Sequence, residues 1–182
     1  VMAMPREDVG FEPDSLLNRM DELGLNAEAA ARIRGTWTLV QLTFEAHDPM
    51  VAPSIEFLLD VVERLAVLSE GVVADPLAQR YLLPERLRLP DRVPPIDARE
   101  HVSVRHHGGS AGVSVHTAGM RKFALPEFEI GQVEEASFEV AARFLLALCQ
   151  TVLVRGPLAA GSVVGSKEAP WTLATGGLDR AR

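Results

Sequence analysis

Four of the five histidines in this 182-residue chain fall between Glu100 and Gly131, at positions 101, 106, 107 and 116. Glu127 and Glu129 follow in the same run. Imidazole titrates near neutral pH and carboxylates supply fixed charge, so the set could hold a divalent metal or run acid–base chemistry. The spacing argues for neither in compact form, since no His-Glu-x-x-His or His-x-His string occurs. A triad of Ser103, His116 and Asp97 can be drawn, but no Gly-x-Ser-x-Gly elbow would present the serine. The plainest reading is a solvated sheet face that carries histidines.

The elements that would position these side chains form a β-hairpin. Glu100 to His107 and Gly112 to Thr117 alternate in polarity, with Gly108 to Ala111 as turn residues between them. A turn of that length pairs His107 with Gly112, Arg105 with Ser114 and Ser103 with His116. His101, Ser103, Arg105, His107, Ser114 and His116 then share one face. Val102, Val104, Val113, Val115 and Thr117 share the other, with His106 at its end, and this apolar face packs on helices. A third strand, 125–130, directs Phe128 and Ile130 inward and sets Glu127 and Glu129 beside the histidines. Gly119, just after the second strand, suits a positive φ or a bulge. The candidate surface site is therefore His101, Arg105, His107, His116, Thr117, Gly119, Glu127 and Glu129, with Lys122 read as an exposed amine.

The rest of the chain reads as a scaffold. Residues 1–12 form an arm. A helix opens at Pro13 or Asp14 and stops at Gly24, and a second runs from Asn26, its N-cap, to Gly35. Together they make an N-terminal helical pair. Thr36 to Phe44 is β-branched and aromatic with apolar residues on both sides, which predicts a covered central strand ended by His47, Asp48 and Pro49. Pro53 to Glu70 is a long amphipathic helix stopped by Gly71, with Ile55, Leu58, Leu59, Val62, Leu65 and Ala66 on its stripe. Val72 and Val73 begin a short strand. Pro84, Pro90, Pro94 and Pro95 mark residues 84–98 as a linker or surface loop with polyproline character at Pro94-Pro95. Glu134 to Arg155 is a second long helix burying Ala136, Val140, Ala141, Phe144, Leu145, Leu148 and Val152. Short strands at 162–164 and 171–174 close the fold, and a frayed tail ends it. Strand, proline turn, long helix and Val-Val strand recur in order, as in two βαβ-like halves.

Composition narrows function by exclusion. A net charge of −7 and a pI of about 5.2 oppose general affinity for nucleic acid or anionic membrane. The single cysteine, Cys149, lies in an apolar helical pattern and reads as a buried structural thiol in a reducing compartment. No signal peptide is expected from the opening VMAMPRED, and no uninterrupted apolar stretch reaches the ~18 residues that span a bilayer. GGSAG sits inside a hairpin and opens no helix, so it is not a phosphate loop.

The string from His116 to Glu129, HTAGMRKFALPEFE, followed by an Ala/Leu-rich helix, resembles bacterial domains of unknown function. Their shared pattern is Thr-x-Gly-(Leu/Met)-x-x-Phe-Gly-x-Pro-Glu-(Leu/Phe)-x-(Ile/Val). Thr117, Gly119, Pro126 and Glu127 match it, and Ala124 stands where the pattern has Gly. The Gly71 to Pro76 stretch and Leu82 to Glu85 are similar to an upstream segment of the same group. The resemblance spans about residues 70 to 150. It implies an α+β fold and a bacterial cytoplasmic protein, and carries no catalytic residue across.

The expected architecture is α+β: a two-layer sandwich of a mainly antiparallel sheet with two long helices on one face, plus the N-terminal helical pair. The expected divisions are 1–35, 36–175 and a tail at 176–182. The expected function is a non-catalytic cytoplasmic domain that binds a protein or small ligand and needs no cofactor or metal; its exposed apolar surface or an edge strand could also make a homodimer. One alternative is an immunity or regulatory protein for a basic partner. The other is a metal-dependent or hydrolase-like enzyme using His101, His116, Glu127 and Glu129.

Overall fold

The computed structural model describes residues 1–23, 25–45, 51–109 and 112–176. Gly24, His47, Asp48, Pro49, Ser110, Ala111 and most of the expected tail lie outside the described residues. Helix and strand are mixed, and every ladder is antiparallel. The chain divides into two compact units, Val1–Pro95 and Ile96–Arg182. The boundary lies inside the Pro-rich segment 84–98. Among the described residues, the one sheet expected from the sequence is replaced by four small ones.

In the first unit, the expected arm is a strand. β1 (Met2–Pro5) pairs with β2 (Thr38–Gln41), and Arg6 N continues the pairing by donating to Trp37 O at 2.9 Å. β2 is therefore not a covered central strand: Val40 is exposed and Trp37 is 82% exposed. Apolar residues on both sides of a strand were compatible with covered faces, but a two-stranded ribbon covers neither. The first expected helix is broken into α1 (Pro13–Leu17) and α2 (Met20–Leu23). α3 (Ala27–Arg34) begins as expected, with the Asn26 side chain accepting from Ala29 N at 2.8 Å. Leu17, Leu25, Ala29, Ala30, Ile33 and Leu83 make this unit's core.

α4 (Val51–Leu68) is the first long helix. Glu70 takes the left-handed φ of 50° at its end, and Gly71 N returns to Ala66 O at 2.8 Å. β3 (Val73–Asp75) pairs with β4 (Arg80–Leu82). The Pro-rich segment is tethered rather than loose. Leu87 is buried, and Arg88 and Arg92 both reach Glu56 on α4. The Pro94–Pro95 bond is cis.

The second unit opens with α5 (Ala98–His101), one helical turn where the hairpin strand was expected to start. β5 (Ser103–Gly109), β6 (Gly112–Ala118) and β7 (Glu129–Val133) form a three-stranded sheet in that order. α6 (Phe138–Arg155) packs on it. Val115, Ile130 and Leu145 are the centre of this layer, with Val104, Val113, Val133, Phe138, Ala141 and Phe144 around them. Ala136, in the turn before the helix, and Val140 are exposed, contrary to the expected stripe; Phe138 and Ala141 are the residues of the first turns that pack on the core. The stretch Glu135–Arg155 is long and apolar enough to cross a membrane by length and composition. That apolarity includes the buried face of Leu145, Leu148, Cys149 and Val152. β8 (Val163–Gly165) pairs with β9 (Pro170–Thr172). Each unit thus holds an 18-residue helix followed by a short hairpin. The hairpins close on themselves, so neither unit is a parallel βαβ.

Candidate functional site

The hairpin register is Gly109↔Gly112, His107↔Ser114, Arg105↔His116 and Ser103↔Ala118. It is displaced by two residues from the expected pairing, because the strands run closer to the turn. A slip of one would have reversed the faces, whereas a slip of two preserves them. Ser103, Arg105, His107, Ser114 and His116 therefore share the face opposite α6, as expected, while Val104, Val113, Val115 and Thr117 face the core. His106 points to the α6 side, its ring 4.7 Å from that of Phe138.

β7 adds Glu129 opposite His116. Arg105, His116 and Glu129 thus form one row across three strands: cation, imidazole, anion. Ser114 Oγ donates to Glu129 Oε1, and the His107 and His116 rings lie 5.5 Å apart. A bulge follows on β7, where Gln132 has φ 59°, so Ile130 and Val133 both reach the core despite being three residues apart.

The other candidates lie elsewhere. His101 is in α5, only 1% exposed, with its ring edge-on to Phe123 at 5.3 Å. It is not on the open face, since the chain is helical there and strand alternation does not apply. Glu127 precedes β7 and does not join Glu129. Its Oε1 accepts from Gly119 N at 2.9 Å and Arg121 N at 3.3 Å, and its Oε2 accepts from Thr117 Oγ1 at 2.8 Å. Backbone N–H groups in a tight turn need acceptors, and this carboxylate supplies them. Thr117, 1% exposed, also accepts from Phe128 N at 2.8 Å. Gly119 has φ 127°, as its position suggested, and lies against the His101 carbonyl. Lys122 is not a free exposed amine: its Nζ donates to His101 O at 2.7 Å. Ala124, in the position where the resembled pattern has Gly, is left-handed with φ 54°. The matched residues Thr117, Gly119 and Glu127 thus build one turn.

Two further polar residues are structural anchors. Asp97, 2% exposed, caps α5 by accepting from Arg99 N at 2.9 Å and pairs with the Arg99 guanidinium at 2.7 Å. Gln150, from α6, accepts from Ala98 N at 2.8 Å and donates to Ile96 O at 2.9 Å. Only a polar residue near a buried helix stripe hinted at Gln150. Cys149 is fully buried beside this turn. Burial pushes its thiol pKa up to about 12, the negative charge of Glu127 adds to the rise, and a hydrogen bond with Thr117 opposes it.

Among the described residues, no three His, Cys, Asp or Glu side chains are placed to hold one metal ion. The set of His101, His116, Glu127 and Glu129 is split between a buried helical turn, a loop carboxylate and the open face. No family model, curated protein or solved structure matches the chain.

Proposed function

We propose that this chain is a non-catalytic bacterial cytoplasmic binding domain that engages a protein partner or small ligand through the open face of β5, β6 and β7. The observation that carries the reading is the row Arg105, His116 and Glu129, flanked by His107 and Ser114, on the face opposite α6. A row of mixed charge on a rigid sheet favours orientation-specific recognition over general electrostatic attraction. The layered scaffold belongs to this reading: α6 forms one layer, the three-stranded sheet the other. The turn of Thr117, Gly119 and Glu127 holds the sheet's end in place, which supports membership of the resembled bacterial group as a fold-level relation.

The test is cross-linking and capture from the native host with the wild type and an Arg105→Glu, Glu129→Lys double variant. Reversing both ends of the row should remove the captured species while leaving the thermal melt unchanged. Capture that is the same for both proteins would overturn the assignment to this face. An immunity or regulatory role toward a basic partner is the second reading, favoured by the net charge of −7. It predicts a captured protein of high pI whose binding weakens steeply with salt.

A further inference from the structure

His106 and His107 are adjacent in sequence, yet a strand sends them to opposite faces. The neighbour that matters for His107 is on the next strand. The register places His107 opposite Ser114 and His116 opposite Arg105, so the two histidines are diagonal neighbours on one face. Their ring centroids are 5.5 Å apart, with the planes at 57°. An imidazole nitrogen binds Zn²⁺ at about 2.0–2.1 Å, which puts the ring centroid roughly 3.2 Å from the ion. Two imidazoles sharing an ion are then about 5.2 Å apart at a tetrahedral angle and about 6.4 Å apart when linear. The observed separation lies between these limits and close to the first.

The geometry points to a labile divalent transition-metal site formed by His107 and His116, with water filling the remaining positions. Imidazole pairs suit Zn²⁺, Cu²⁺ or Ni²⁺ over Mg²⁺ or Ca²⁺, which take oxygen ligands. Two charges flank the pair. Glu129, opposite His116 and hydrogen-bonded by Ser114, favours a cation, and Arg105, on the other side of His116, opposes it. His106 contributes nothing from the α6 face, and His101 is buried. The site shares its face with the proposed binding surface but needs no partner.

The test is titration of the untagged full chain with Zn²⁺ against a chromophoric chelator at pH 7.5. His107→Ala and His116→Asn should each weaken binding at least about tenfold, the effect of losing one arm of a chelate. His106→Ala should leave it unchanged, and Arg105→Gln should tighten it. Circular dichroism controls for folding of each variant, and the exposed His107 position serves if His116→Asn unfolds. Absence of wild-type binding at about 1 mM Zn²⁺, far weaker than chelation provides, would sink the proposal. So would equal affinity for the wild type and His107→Ala. Loss of zinc in the His107 variant with host capture unchanged would separate this site from the partner reading, and loss of capture with zinc retained would do the converse.

Discussion

A β-carbon on Gly119 would lie 2.2 Å from the carbonyl oxygen of His101. The end of β6 and the α5 turn therefore meet through bare backbone. Gly119 also holds φ 127°, a conformation that L side chains rarely adopt. Gly119→Ala should destabilise the protein by at least about 2 kcal/mol, since backbone must move on both sides of the contact. A urea midpoint shifted by less than the error of the measurement would show that the contact yields.

Ala124 presents the opposite case. It occupies the left-handed region with φ 54° and ψ 30°, and its side chain is exposed. Ala124→Gly should stabilise by about 0.5–1 kcal/mol, because removal of the Cβ relieves the strain and no packing is lost. Thermal denaturation checks this, and a lowered melting temperature would contradict it.

Thr117 should tolerate Ser better than Val. Its hydroxyl donates to Glu127 and accepts from Phe128 N, and both groups lose their partner in Thr117→Val. The valine variant should cost about 2–3 kcal/mol despite its matching shape, while serine keeps both bonds. Chemical denaturation of the two variants side by side decides it.

Cys149 should be inert in the native protein. With its pKa held at about 12 by burial, the thiol stays protonated at pH 8, so a disulfide reagent should label it only on unfolding. The same shift makes stability pH-dependent. The unfolded thiol ionises near its ordinary value of 9.0 while the native one resists. Stability is thus intact below pH 9 and falls between 9 and 12, by up to about 1.4 kcal/mol per pH unit. Cys149→Ala should flatten that alkaline slope.

Glu56 acts at the acid end. The hydrogen bonds from Arg92, at 2.6 and 3.1 Å, do most to hold its pKa below 4.5; burial opposes them and Arg88 adds to them. The folded value lies below the unfolded one, so the contribution is present above pH 4.5 and is lost as pH falls through the folded value. The side chain is partly exposed, so the effect is about 1 kcal/mol after solvent screening. Glu56→Gln should remove this part of the acid sensitivity and make the Pro-rich segment more open to proteolysis.

Local rules carried the reading of single elements. Asn26 as an N-cap, the two long helices, the buried Cys149, the positive φ of Gly119 and the two-faced hairpin each follow from a few neighbouring residues, and each is present. The faces of the hairpin survived an error in loop length because strand side chains have a period of two, and the error was two residues.

Partnership between distant segments was decided only by tertiary structure. Nothing in Met2–Pro5 names Thr38–Gln41 as its mate, so the arm became a strand and the central strand became half of a ribbon. His101 looked like the first member of a polar strand face, yet α5 buries it against Phe123. Glu127 looked like a twin of Glu129, yet unsatisfied amides at Gly119 and Arg121 draw it into the turn. The histidine-rich run is thus composed by sequence and divided by packing. Alternation sets which side a residue can face, but long-range hydrogen bonds and burial set which side is open. What remains together on the face away from α6 is Arg105, His107, Ser114, His116 and Glu129.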